Sequence, residues 1–130
     1  MAAALADLDQ AIRLAPENPQ SFHARGLIYQ KQGDCTQAIS NFDNAIDRNP
    51  FVAAPYLARA QCETTTGKYD AAIEDFNAAL NVDNKIEGGW SGLGLAYERK
   101  GDRSKAQESY NHAITVDPND QMAREGLSRL

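Results

Sequence analysis

Few residues of this chain have the types and spacing for chemistry. His23 and His112 are its histidines, and Cys35 and Cys62 its cysteines. No H-E-x-x-H, no C-x-x-C and no phosphate-cradling glycine motif joins them into a metal or nucleotide site. The stretch "GGWSGLG", Gly88 to Gly94, invites a catalytic reading because a serine stands among glycines. A nucleophile elbow needs glycine two places after the serine, and Leu93 stands there. As G-x-G-x-x-G it fails at the last place, which is Tyr97. The Asp and Glu residues read as a solvated outer face rather than an acid–base pair. The expectation is a noncatalytic protein without metal or cofactor.

The bulk properties narrow the class further. Net charge is −5 and the pI about 4.9, which excludes a phosphate-backbone binder, because that role needs a basic surface. No apolar run approaches the roughly 18 residues needed to span a membrane. No basic stretch followed by an apolar one opens the chain, so no signal peptide is read in it. The two cysteines are too few for a disulfide framework and are expected as free thiols, one or both buried.

The organisation lies in a period. "YQKQGDCTQAISNFDNAIDRNP" starts at Tyr29, "ETTTGKYDAAIEDFNAALNVDN" at Glu63 and "YERKGDRSKAQESYNHAITVDPND" at Tyr97, and the two intervals are equal. The windows 19–52, 53–86 and 87–120 align without gaps. Each opens with an aromatic (Phe22, Tyr56, Trp90), followed by a small residue (Gly26, Ala60, Gly94) and a glycine (Gly33, Gly67, Gly101). Then come an alanine (Ala38, Ala72, Ala106), a ring (Phe42, Phe76, Tyr110) and a second alanine (Ala45, Ala79, Ala113). Steps of three and four predict helices, and the recurrent glycine predicts a turn between two antiparallel ones. Asn18-Pro19 suits a helix start. The small residues let paired helices approach, and the rings fill the space between neighbours. No repeat can bury its apolar face alone, so stacking must build the core.

Residues 1–18 follow the second half of the same pattern, and 121–130 read as a capping helix. The prediction is one all-α, right-handed solenoid over 1–130: a half-repeat, three full repeats and a cap. The start in mid-repeat is expected of a fragment. Two further expectations concern particular side chains. Arg25 and Arg59 stand equally far before Asn41 and Asp75. They either pair with those residues across the hairpin or lay their stems on the core and reach water. Gly88, Gly89, Gly92 and Gly94 are read into one helix, with Gly88 and Gly92 leaving a groove wall bare. Either a ligand backbone comes close there or the helix is locally weak.

This pattern resembles the tetratricopeptide repeat family over essentially the whole chain. Trp90, Leu93-Gly94, Tyr97, Gly101, Ala106, Tyr110, Ala113 and Pro118 match it most fully; Glu63, Asn84, Arg25 and Arg59 depart from it. The phrasing "ARGLIYQ" and "LAYERKGDRSKAQESY" is similar to bacterial members, including some cell-envelope lipoproteins. An envelope or periplasmic location would follow if an upstream signal has been removed.

The resemblance implies that the first helix of each repeat lines a concave groove that binds a protein or peptide. By position, the lining comprises Gln20, His23, Leu27, Gln30 and Lys31 from the first repeat. Ala54, Leu57, Gln61, Thr64 and Thr65 follow from the second, and Gly88, Ser91, Leu95, Glu98 and Arg99 from the third. Amides and hydroxyls would meet a peptide backbone, leucines its apolar anchors, and Lys31 and Arg99 an acidic group. The carboxylate clamp of some chaperone-docking members is absent. Its places carry His23, Leu27, Ala58, Gly88 and Gly92. The rival expectation is a homodimer through the first helix, at Leu5 and Ile12.

Overall fold

The computed structural model describes residues 2–130. Those residues form eight helices and no strand: α1 (Ala2–Leu14), α2 (Pro19–Lys31), α3 (Cys35–Arg48), α4 (Ala53–Thr65), α5 (Tyr69–Val82), α6 (Gly89–Lys100), α7 (Arg103–Val116) and α8 (Gln121–Arg129). Side chains mark where several of them begin. The Asn18 carboxamide accepts the Gln20 amide at 3.0 Å with Pro19 in the first turn. Asp34, Asp102 and Asp120 accept the amides of Gln37, Lys105 and Ala123 at 3.1 Å. Each such cap contributes about 1 kcal/mol. Gly33, Gly67 and Gly101 take φ of +82°, +82° and +101° between paired helices, a region that an L side chain enters at a cost.

Each second helix of a pair carries a ring at one shared register, and all three of these rings are sealed in. Phe42, Phe76 and Tyr110 are 0, 1 and 0% exposed. The ring lies against its own pair's small residue. A Cβ added at Gly26 would meet Phe42 at 2.5 Å, and one at Gly94 would meet Tyr110 at 2.6 Å. It also lies against a small residue of the following helix: Ala58 for Phe42, Gly92 for Phe76 and Gly126 for Tyr110. Leu8 holds the ring's place in α1 and is only half-buried.

This packing corrects the reading of the glycine run. Gly88 is not in the helix but caps α6 with φ +81°. Gly92 is buried, and the space where a side chain would stand holds the Phe76 ring. The missing side chain serves a close helix approach. The loop before α6 is held by the Trp90 indole, which donates to the Asn84 carbonyl at 2.9 Å.

The arginines pair as expected and reach further. Arg59 grips Asp75 with Nε and Nη2 at 2.8 and 2.7 Å, and Arg25 Nε donates to Asn41 at 2.6 Å. Each also reaches back to the preceding second helix. Arg25 meets Asp9 at 2.9 Å and Arg59 meets Asp43 at 2.7 Å. One guanidinium therefore ties two repeats together. Cys62 is buried and Cys35 half-buried, both as free thiols. Burial and the adjacent Cys35 thiol push Cys62 up to about 12.

The third repeat has Leu93 and Ser109 where the second has Arg59 and Asp75, so the chain supplies its own test. Arg59→Leu should lower stability by about 2 kcal/mol by leaving Asp75 buried and unpaired. Arg59 keeps a fifth of its side chain in water, which holds the loss below that of a fully buried pair. Adding Asp75→Ser should restore most of it. Urea unfolding of the two variants checks both; equal losses would show that the pairing contributes little.

Candidate functional site

The curvature is fixed by which helices touch. α2 contacts α4 and α4 contacts α6, whereas α3, α5 and α7 make no such contact with one another among the described residues. The first helices therefore crowd the concave side and the second helices spread over the convex one.

The predicted groove residues divide into separate parts. Gln61, Thr64, Leu95 and Arg99 come together in an open pocket of about 280 Å³ where the second and third repeats meet. Phe76 is its floor, Gly88 and Gly92 one edge, and Met122 of α8 its far wall. Gln20 and His23 border another pocket of about 200 Å³, with Val52 and Pro55, at the first joint. Leu27 is 43% exposed, and Gln30 donates to Gln61 Oε1 at 3.2 Å. Lys31 is exposed.

Four of the predicted lining residues prove less available than expected, Thr64 among them at 6% exposure. Ser91 is buried at 2% exposure, because its turn of α6 faces the packed side. Leu57 packs on the core around Phe76. Glu98 is engaged within the fold: Arg129 donates to it at 2.8 and 2.9 Å and the Tyr110 hydroxyl at 2.7 Å. Those donors hold its carboxyl below the usual range. Sequence reasoning misses Met122, although it continues the column of Gln20, Ala54 and Gly88 at the same interval.

The hydrogen bonding of the central pocket sets its chemistry. Thr64 and Thr65 donate their hydroxyls to the Ala60 and Gln61 carbonyls, both at 2.9 Å. Their protons are thus committed, and the donors that remain are the Gln61 amide and the Arg99 guanidinium. Arg99 is exposed and closes no salt bridge among the described residues. Burial drives the His23 imidazole below its ordinary value, so it is neutral near pH 7. The pocket offers one apolar seat beside hydrogen-bond donors and a cation.

Two matches to models described as "Tetratricopeptide repeat" cover residues 23–87 and 88–120, and a "TPR repeat" model covers 1–33. The chain belongs to the tetratricopeptide repeat family. It is 33% identical over 123 residues to Stress-induced-phosphoprotein 1 of Caenorhabditis elegans, covering 92% of this chain and 38% of that protein. It is 29% identical to the Hsp70-Hsp90 organizing protein of Triticum aestivum, covering 95% and 21%. It spans well under half the length of either relative. Among solved structures, MamA superposes with a TM-score of 0.89 at 20% identity, over 94% of this chain and 71% of that one. The first TPR of Spaghetti, solved with an HSP90 peptide, gives 0.84 at 22% identity over 86% and 89%. These likenesses establish the tetratricopeptide solenoid, and among the described residues no helix is long and apolar enough to cross a membrane.

Beneath the groove lies one strained titratable group. Glu63 replaces the tyrosine of the other repeats and is 9% exposed, and its Oε1 has no partner among the described residues. Burial first, then the adjacent Asp75 carboxylate, push its carboxyl up to about 8. Asp43 adds to this, and Arg59 opposes it. The folded chain thus holds a proton that the unfolded chain releases near 4.5. The resulting stability is full below the unfolded value and is lost as pH rises through about 8. The urea midpoint of the wild type should fall relative to that of Glu63→Gln across this range. Parallel profiles for the two proteins would show that Glu63 is ionised throughout.

Proposed function

We propose that this tetratricopeptide domain is a noncatalytic scaffold that holds a peptide segment of a partner protein in its concave groove. The observation that carries the proposal is the pocket between the second and third repeats. It gathers an apolar seat of Leu95 and Met122 beside the free guanidinium of Arg99. The ligand chemistry that fits is an apolar anchor with an acidic residue within reach of Arg99, and backbone carbonyls for the Gln61 amide. Lys31 offers a second cation along the same face. The relatives named for Hsp70 and Hsp90 support peptide capture in general. The positions of the carboxylate clamp carry other residues here, so the acidic group meets Arg99 instead.

A positional peptide library on immobilised protein tests this. The wild type should select an apolar residue with an acidic one nearby. Leu95→Glu should abolish selection. Arg99→Glu should remove the acidic preference and weaken binding about fivefold or more. Identical selections by all three proteins would overturn the assignment. Leu57→Glu is a poor control because the half-buried Leu57 packs against the core.

A second reading, dimerisation through α1, is favoured by one observation. None of the residues of α1 is buried, and Leu8 stands half-open in a register that is sealed elsewhere. Leu5 and Ile12 are half-buried, and Leu14 is exposed at 76%. Under this reading light scattering gives twice the 14.2 kDa chain mass, and Ile12→Glu returns it to one chain. A wild-type monomer removes the reading.

A further inference from the structure

The convex face shows a different kind of site. The second helices are spread apart there, and a first helix floors each cleft between them. Arg25 lies across the cleft between α1 and α3, joining Asp9 to Asn41. Arg59 does the same between α3 and α5, joining Asp43 to Asp75. Between α5 and α7 the corresponding residue is Leu93, and the two receiving places are Asn77 and Ser109. Among the described residues no guanidinium fills this third cleft; Leu93 and Ser109, each 4% exposed, close its floor, and the space above them is open. A cavity of about 540 Å³ runs over Trp90, Leu93 and Tyr97, walled by Glu108, Ser109 and His112. A second of about 570 Å³ lies on the α5 side of Trp90, against Asn77, Asn81 and Asp83.

We propose that the α5–α7 cleft receives an arginine side chain from a partner protein, which lies over Leu93 as a counterpart to Arg25 and Arg59 in the other two clefts. The chemistry of the walls fits a guanidinium. In the cavity over Leu93, Glu108 supplies a carboxylate and Asn111 an amide oxygen, acceptors for the fork of donors that arginine presents; Asp83, Asn77 and Asn81 line the separate cavity on the α5 side of Trp90. The floor supplies an aromatic face. In the filled clefts Arg25 and Arg59 stand 5.6 and 5.8 Å from the Phe22 and Tyr56 rings, and Trp90 holds the same position. His112 stacks on one face of that indole at 4.3 Å, which leaves the other face and the ring edge for a guanidinium. Lys105 stands 5.7 Å from the Tyr97 ring and repels a cation at that end, so the guanidinium sits at the Trp90 end. A net charge of −5 favours the approach of a cationic partner.

Trp90 is the single tryptophan of the chain, so its indole reports on this cleft. The probe is the blocked tripeptide acetyl-Gly-Arg-Gly-amide at millimolar concentration, followed by the indole N–H resonance and by fluorescence. A saturable shift is expected, weaker for the lysine counterpart. Glu108→Gln should weaken it about two- to fivefold, the size of an exposed ion pair. The double variant Leu93→Arg with Ser109→Asp rebuilds the Arg59–Asp75 pair inside the cleft and should remove the response. Leu95→Glu, on the concave face, should leave it unchanged. An indole that does not move with the arginine peptide overturns the proposal. So does an equal response to lysine, a response that survives both Glu108→Gln and the rebuilt pair, or one lost in Leu95→Glu. Should the double variant fail to fold, Glu108→Gln and the lysine peptide still decide the question.

Discussion

The fold rests on a ring held between two residues that have almost no side chain. Phe42 lies between Gly26 and Ala58, Phe76 between Ala60 and Gly92, and Tyr110 between Gly94 and Gly126. Burying such a ring contributes about 2–3 kcal/mol. It also sets a geometric limit, because the flanking backbones must approach to the thickness of a ring. The first helices meet that limit by crowding together. The second helices cannot follow and diverge. Curvature, groove and outer clefts all follow from this one contact.

Much of this is legible in the chain. The repeat period, the glycines at the turns and the steps of three and four place the helices. A constant separation within each repeat places Arg25 beside Asn41 and Arg59 beside Asp75. Other features are hidden for physical reasons. The link from Arg59 back to Asp43 crosses between repeats, and a search within one repeat does not meet it. Gly92 reads as an absence of wall because glycine carries no sign of what occupies its space. Only the fold shows that a ring from the preceding helix does. Ser91 falls on an accessible face by position, yet α6 turns it inward. Met122 escapes notice because the last helix reads as a cap, although a cap that continues the period also continues the groove.

The departures from the repeat pattern are where the molecule acquires individuality. The tyrosine place carries Glu63, which keeps a proton in the interior. The leucine place carries arginine twice and leucine once, so two joints are bridged and one is open. Identical repeats would give a uniform superhelix. These few exchanges give each joint its own stiffness, charge and accessible chemistry.

Helix α8 closes the stack by offering Gly126 to Tyr110, and in the same step Arg129 takes the carboxylate of Glu98. Glu98 is the immediate neighbour of Arg99 on the groove helix. With α8 docked, the charge of the acid is matched by Arg129, and more of the field of the Arg99 guanidinium reaches solvent. Without that helix the acid would stand unmatched one residue away, and the two opposite charges would largely cancel at any distance beyond their separation. The terminal helix therefore sets the electrical polarity of the groove as well as closing the core.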